Sequence, residues 1–384
     1  MGSVTNMPAS LIDGVCDTRF ACVRDAFVEN FANGDIGASV AVTVDGALAV
    51  DLWGGHLDEA RTMPWRRDTI AGVASTSKTV TALCALLLAD RGELDLDAPV
   101  ARYWPAFAQS GKAGVLVRHL LGHTSGLPGW TATISFEDLY DWEKVTDLLA
   151  RQAPWWEPGE ASAYHAITQG FLVGEVVRRI TGRSLGRFLA DELAGTLDAD
   201  FHIGLGPEHD HRVAPSIAAP PPAPDPPPVV DGMFMRIAGN PAVPPLDRID
   251  ARWLRAEIPA SNGVGNARSV ALMMSVLACG GEARGRRLMS REGCEAVLRQ
   301  QSDGVDLAFL TPVRWAMGFA LELGGLSFGP RTCFWGGSGG SLVVVDFQRR
   351  MSFAYVMNKM VGAPFGDPRN AALIAATYAG LEAG

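Results

Sequence analysis

Over residues 17–31 apolar side chains recur at three- and four-residue spacing, with Phe20, Val23, Phe27 and Phe31 on one face, which predicts an amphipathic helix. The period then drops to two. Val40, Val42 and Val44 alternate with smaller or polar residues, Asp45-Gly46 supplies a two-residue turn, and Leu48, Val50 and Leu52 alternate on the way back, so this stretch reads as a β-hairpin. From residue 75 to about 279 the helical period dominates, over 76–90, 117–121, 138–151, 167–181, 185–192 and 270–278. Strand alternation returns at 315–323, 332–345 and 351–357, read as three strands. A helix follows, opened by Asp367 as N-cap and Pro368 at the first helical position. The proline-rich stretch 214–230, densest around Pro220–Pro228, is incompatible with helix or central strand and reads as an excursion over the surface.

Both chain ends thus supply strands and a helix, and the middle is mainly helical. The expected fold is α+β: an antiparallel sheet flanked by helices, built from 1–75 and 300–384, with a large all-α insertion over 76–299 that includes the 214–230 excursion. A cleft between the two parts is the natural place for a substrate. The 384 residues suffice for a large core, and 48% hydrophobic with 20% charged residues is ordinary globular composition. A formal net charge of −9 argues against nucleic acid or an anionic membrane as the main partner, and an acidic, soluble enzyme is the default expectation. The six cysteines (16, 22, 84, 279, 294, 333) show neither C-x-x-C pairing nor zinc-ligand spacing and read as free thiols. No apolar run is long enough for a membrane span and 1–30 lacks a signal-peptide core, so the expected compartment is the cytoplasm. No metal or cofactor is expected, and oligomeric state is open.

The chemistry concentrates at Ser75-Thr76-Ser77-Lys78, where a strand-like stretch gives way to an apolar helix. A hydroxyl and an amine three residues apart at a helix start project from nearly one face, so the amine can hydrogen-bond the hydroxyl it helps to ionise. The chain has four lysines against 29 arginines, and Lys78 alone has a serine three positions before it. Tyr164 follows the turn-rich Trp155-Trp156-Glu157-Pro158-Gly159-Glu160 and precedes a helix, a setting from which a phenol can enter a cleft. Beside a protonated lysine its pKa is expected to fall toward neutrality. The third element is Trp335-Gly336-Gly337-Ser338-Gly339-Gly340-Ser341, where glycines let a ligand approach backbone N–H groups.

In this order the three elements resemble the serine β-lactamase/penicillin-binding-protein superfamily, specifically the class C β-lactamase-like branch that includes the family VIII carboxylesterases. The resemblance spans roughly residues 15–380 and is carried by Ala74–Lys78, the stretch 91–100, Leu120-Leu121-Gly122-His123-Thr124-Ser125-Gly126-Leu127, and Tyr164. It implies Ser75 as nucleophile, Lys78 and Tyr164 as the proton-handling pair, and the N–H groups of Ser75 and Ser338 as the oxyanion hole. Which of Lys78 and Tyr164 is the primary base stays open, because they titrate as a coupled pair.

Two departures bear on the substrate. Tyr164-His165-Ala166 stands where the lactamases have tyrosine-x-asparagine, and Trp335-Gly336-Gly337 where they have lysine-threonine-glycine, so no cation waits for a β-lactam carboxylate. The Trp-Gly-Gly strand is similar to that of family VIII esterases, which points to small carboxylic esters. Trp130, Trp155, Trp156 and Trp335 are candidates to line an apolar pocket, His165 is a candidate to tune Tyr164, and His123 resembles a structural turn. Residues 336–340 also fit G-x-S-x-G, but a strand rather than a helix follows Ser338 and no histidine comes later. His202, His209 and His211 lie near acidic residues at irregular spacing and read as solvated. The readings beside esterase are a transacylase of the same superfamily, residual lactamase or amidase activity, and a silent binding protein on the same scaffold.

Overall fold

The computed structural model describes residues 12–219, 232–362 and 366–383. Its centre is a nine-stranded antiparallel sheet of strands β1 (Ile12–Cys16), β2 (Gly37–Val44), β3 (Ala47–Gly55), β4 (Ser302–Asp306), β5 (Thr311–Trp315), β6 (Ala320–Leu323), β7 (Thr332–Gly336), β8 (Leu342–Asp346) and β9 (Met351–Met357). The order across the sheet is β1-β3-β2-β9-β8-β7-β6-β5-β4, so the two chain ends meet where β2 pairs with β9. Both are buried along nearly their whole length, as central strands covered on both faces should be. The hairpin turn places Asp45 and Gly46 at positive φ, which a two-residue turn matched to strand twist requires.

Helices α1 (Ala21–Ala32) and α5 (Pro368–Glu382) pack together on one face of the sheet, and Asp367 caps α5 by accepting from Arg369 N. The helical part contains α2 (Ser77–Asp90) and α3 (Thr168–Thr181), which pack on each other. Twelve of the fourteen residues of α2 are buried, so this helix is wrapped on every side. Helix α4 (Ala267–Ala278), placed by its position in the chain with the insertion over 76–299, packs instead on the sheet. Ser352 Oγ donates to Ala271 O at 2.7 Å, and Ala267 N donates to Ser39 Oγ at 3.1 Å.

Two strand assignments need correcting. The stretch 315–323 is not one strand: Gly318, at φ +83°, turns the chain between β5 and β6 and donates to Leu121 O, and a Cβ on it would lie 2.2 Å from Ala82 Cβ. The sheet touches α2 there, which forces the break. Likewise 332–345 is a hairpin, β7 to β8, bent at Gly339 and Gly340 with φ +92° and +126°. Both arms are buried almost throughout, so the run of apolar residues alone conceals the reversal. The edge strands β1 and β4 escaped the period analysis because both are short and partly exposed. The proline run around Pro220–Pro228 lies outside the described residues. Among the described residues no helix is long and apolar enough to cross a membrane.

Candidate active site

Ser75 sits in a 3-10 turn, Ala74–Thr76, between the short strand Ile70–Gly72 and α2. The turn is forced into shape from several directions. Ala74 adopts φ +44°, a costly conformation for a residue with a Cβ, and Thr76 N donates to Val73 O at 3.1 Å. Ser77 donates from Oγ to Ala74 O and accepts from Gly263 N at 2.8 Å, while Ser341 Oγ donates to Val73 O at 2.7 Å. Strain held by so many bonds marks a position fixed for use rather than for stability.

Lys78, one helical turn on, is fully buried. Its Nζ lies 3.2 Å from Ser75 Oγ, 2.7 Å from Ala166 O and 2.8 Å from Ala260 O. Burial pushes its pKa well below the usual lysine value, and among the described residues no carboxylate pairs with it. A neutral amine has two N–H bonds and one lone pair. In that form the two carbonyls, which can only accept, take the N–H bonds, and the lone pair is left for the Ser75 hydroxyl.

Tyr164 hangs on a loop that the Gly122–Gly126 turn cradles. Ala163 N donates to His123 O, His165 N donates to His123 Nδ1 at 3.1 Å, and Gly159 N donates to Thr124 O at 2.8 Å. The phenol is boxed by Phe309, Trp315, Trp335 and His123, with ring centroids 4.8, 6.0, 5.1 and 5.1 Å away. Trp335 Nε1 donates to the phenol oxygen at 3.3 Å, and Lys78 Nζ stands 4.7 Å over the ring. The expected fall of the phenol pKa is not found. Burial pushes it up, opposed by hydrogen bonds with Ser75 and Trp335 and reinforced by the nearby charge of Asp306. The same burial disfavours the ammonium form of Lys78, so the cation on which that expectation rested is itself destabilised.

Gly336, Gly337 and Ser338 bring the β7–β8 turn against the nucleophile. A Cβ on Gly337 would lie 2.2 Å from Val73 O and 3.1 Å from Ala74 Cβ. The turn is closed by Gly337 N to Ser341 O at 2.8 Å and Gly340 N to Gly337 O at 3.1 Å. Behind it, Arg369 donates to Gly339 O at 2.9 Å and Asn370 to Gly340 O at 2.7 Å. Arg369 is itself held by Asp35 at 3.0 Å and Asp367 at 2.8 Å in a buried cluster.

Ser75, Tyr164, Trp335, Gly336, Gly337 and Ser338 all face one cavity of about 490 Å³. Most of its remaining wall is apolar, with Phe234, Ile237, Val243, Leu246, Phe309 and Met360, and Ser261 adds a hydroxyl. Asp247 carries the one charged side chain among its described lining residues. Three residues predicted for the site stand outside this lining: Lys78, buried behind Ser75, and with it His165 and Trp156. His165 is wholly buried, with Nε2 2.7 Å from Ser125 Oγ and Nδ1 2.6 Å from Ala163 O, and burial lowers its pKa to about 4. It therefore braces the loop and leaves the phenol alone. Trp156 donates to Ala161 O at 2.9 Å. Trp130 is core, and Trp155 stacks under Arg236 at 3.5 Å, so of the four tryptophans only Trp335 lines the cavity. Asp200 is ion-paired with Arg212, and His202 Nε2 lies within hydrogen-bond distance of it at 2.9 Å. Sequence reading missed Asp306 and Arg369, which act through tertiary contacts and carry no local motif.

The family described as Beta-lactamase matches residues 24–378. The esterase/β-lactamase LipL of Mycobacterium tuberculosis is 35% identical over 363 residues, which is 91% of this chain and 83% of LipL. The crystal structure of a family VIII carboxylesterase superposes with a TM-score of 0.90 at 38% identity, covering 96% of this chain and 99% of that one. A penicillin-binding protein homologue from Caulobacter crescentus superposes with a TM-score of 0.88 at 36% identity, again covering 96% and 99%. With a family model matching nearly the whole chain and relatives of this likeness, the chain belongs to the Beta-lactamase family.

Proposed function

We propose that the protein is a serine carboxylesterase that cleaves small, uncharged carboxylic esters through an acyl-enzyme. The observation that carries this reading is the Lys78 amine, whose pKa burial holds well below the usual lysine value, 3.2 Å from Ser75 Oγ at the edge of a mainly apolar cavity. Ser75 Oγ attacks the ester carbonyl and passes its proton to Lys78 Nζ. The tetrahedral oxyanion lies between the N–H groups of Ser75 and Ser338, on the two sides of the close approach of Gly337 to Ala74. Tyr164, kept protonated by its surroundings, donates to the departing alkoxide and is recharged from Lys78. Water then repeats the sequence on the acyl-enzyme. Lys78 is thus the primary base and Tyr164 the proton carrier.

The similarity to LipL and to a family VIII carboxylesterase supports ester as the scissile bond. The cavity wall supports it too: a carboxylate-bearing β-lactam would meet Asp247 and no lysine or arginine among the described lining residues. The test is side-by-side turnover of p-nitrophenyl butyrate and a chromogenic cephalosporin by wild type and Ser75→Ala. Ester turnover that vanishes in Ser75→Ala, with cephalosporin cleavage at least about 100-fold slower, is the expected result. Wild-type turnover by Ser75→Ala would end the proposal, and efficient cephalosporin cleavage would move the substrate to lactams. Accumulation of a stable acyl-enzyme that an added alcohol discharges would make the protein a transacylase. The cytoplasm is the proposed compartment, supported by six thiols that stay unpaired, and cell fractionation checks it.

A further inference from the structure

Asp306, the last residue of β4, is a wholly buried carboxylate with no cationic partner among the described residues. Such a group is costly to keep unless every oxygen is bonded. Its oxygens are bonded, and the donors are informative. Oδ1 accepts from Tyr164 N at 3.1 Å, Ala308 N at 2.9 Å and Phe309 N at 3.2 Å, and Oδ2 accepts from Trp315 Nε1 at 2.9 Å. Three of these four donors belong to residues of one aromatic box. Phe309 and Trp315 stack on the Tyr164 ring with interplanar angles of 28° and 6°. A loop from the helical part is thereby tied to the edge of the sheet, 142 residues away in sequence.

We propose that Asp306 is the positioning residue for Tyr164: its carboxylate gathers the Tyr164 backbone, the Phe309 amide and the Trp315 indole into the box that aims the phenol at Ser75. The inference rests on the assignment of Tyr164 as proton carrier. The titratable groups facing the phenol are Lys78 from α2, His123 from the Gly122–Gly126 turn and Asp306 from β4, with His165 one residue along. Burial holds both histidines neutral and disfavours charge on Lys78. The Asp306 charge is then the one that bears on the phenol, and it opposes tyrosinate.

Position and charge separate experimentally. Asp306→Glu keeps the charge but moves the oxygens by one methylene. The expected result is a kcat at least tenfold lower, KM within about threefold and an unchanged alkaline limb of kcat/KM. Asp306→Asn turns an NH₂ toward the Trp315 N–H, so it is made together with Trp315→Phe, which removes that donor. Relative to Trp315→Phe alone, the pair is expected to shift the alkaline limb to lower pH, because the charge opposing tyrosinate is gone. Wild-type kcat in Asp306→Glu would overturn the positioning role, and an alkaline limb unmoved between Trp315→Phe and the pair would overturn the effect of the Asp306 charge on the phenol. Tyr164→Phe is the control for the underlying reading. Full turnover by that variant removes Tyr164 from the mechanism, whereas loss of turnover there with indifference at Asp306 refutes this inference alone.

Discussion

Gly337→Ala is the sharpest perturbation of the oxyanion hole, because it adds one methyl group at the contact between the β7–β8 turn and the nucleophile. Gly337 does not occupy a left-handed conformation, so alanine introduces no backbone strain and the effect comes from space alone. The new Cβ would stand 2.2 Å from Val73 O, 2.4 Å from Ser341 Oγ and 3.1 Å from Ala74 Cβ. Ser341 Oγ can rotate, but Val73 O belongs to the backbone that shapes the Ser75 turn and is itself bonded by Ser341. The turn must therefore retreat from Ser75 by about 1 Å, a displacement that typically costs about 100-fold in rate. Moving Ser338 N–H that far loses one of the two donors to the oxyanion, worth about 10²–10³ in kcat, or about 3–4 kcal/mol. The assay is steady-state turnover of p-nitrophenyl butyrate together with the affinity of an alkyl boronic acid, whose adduct with Ser75 mimics the tetrahedral state. A fall of about 100-fold in kcat with a matching loss of boronate affinity and an almost unchanged KM is expected. A folded variant with kcat within threefold of wild type would show that the Gly337–Ser338 backbone does not form the oxyanion hole.

Lys78 gives a pH signature in stability. Its folded pKa is depressed by burial, so between that value and the ordinary lysine value the unfolded chain binds a proton the folded chain excludes. Stability therefore rises with pH across this window, by up to about 1.4 kcal/mol per unit. Lys78→Met removes the dependence, and its urea midpoint relative to wild type should be more favourable at pH 6 than at pH 9; parallel pH profiles would refute the assignment. Arg369→Met leaves Asp35 and Asp367 buried without their guanidinium and is expected to cost about 3–5 kcal/mol by urea unfolding, with a loss below about 1 kcal/mol counting against the cluster. His165→Gln is expected to lower stability with little change in the pH dependence of kcat, since the ring bonds Ser125 and Ala163 rather than the phenol; a shifted pH–rate profile would restore His165 as a tuning group.

The sequence by itself determined the parts whose partners are near in the chain. Ser75 and Lys78 meet because three residues make almost one helical turn, the Asp45-Gly46 hairpin closes on its own neighbours, and Asp367 caps the helix it begins. The family is legible for the same reason, since the motifs that carry the resemblance are short local patterns, and the likeness to LipL spans 91% of the chain. The tertiary structure alone decided the rest. Trp335 reaches Tyr164 across 171 residues, Asp306 reaches it across 142, and Arg369 fastens Gly339 across 30, none of them marked by any local spacing. The direction of the phenol shift followed the same rule. Proximity to a lysine is readable from a motif, but the burial that lowers that lysine's pKa and raises the phenol's depends on everything packed around the pair. Desolvation is a property of the whole enclosure, and no single segment encodes it.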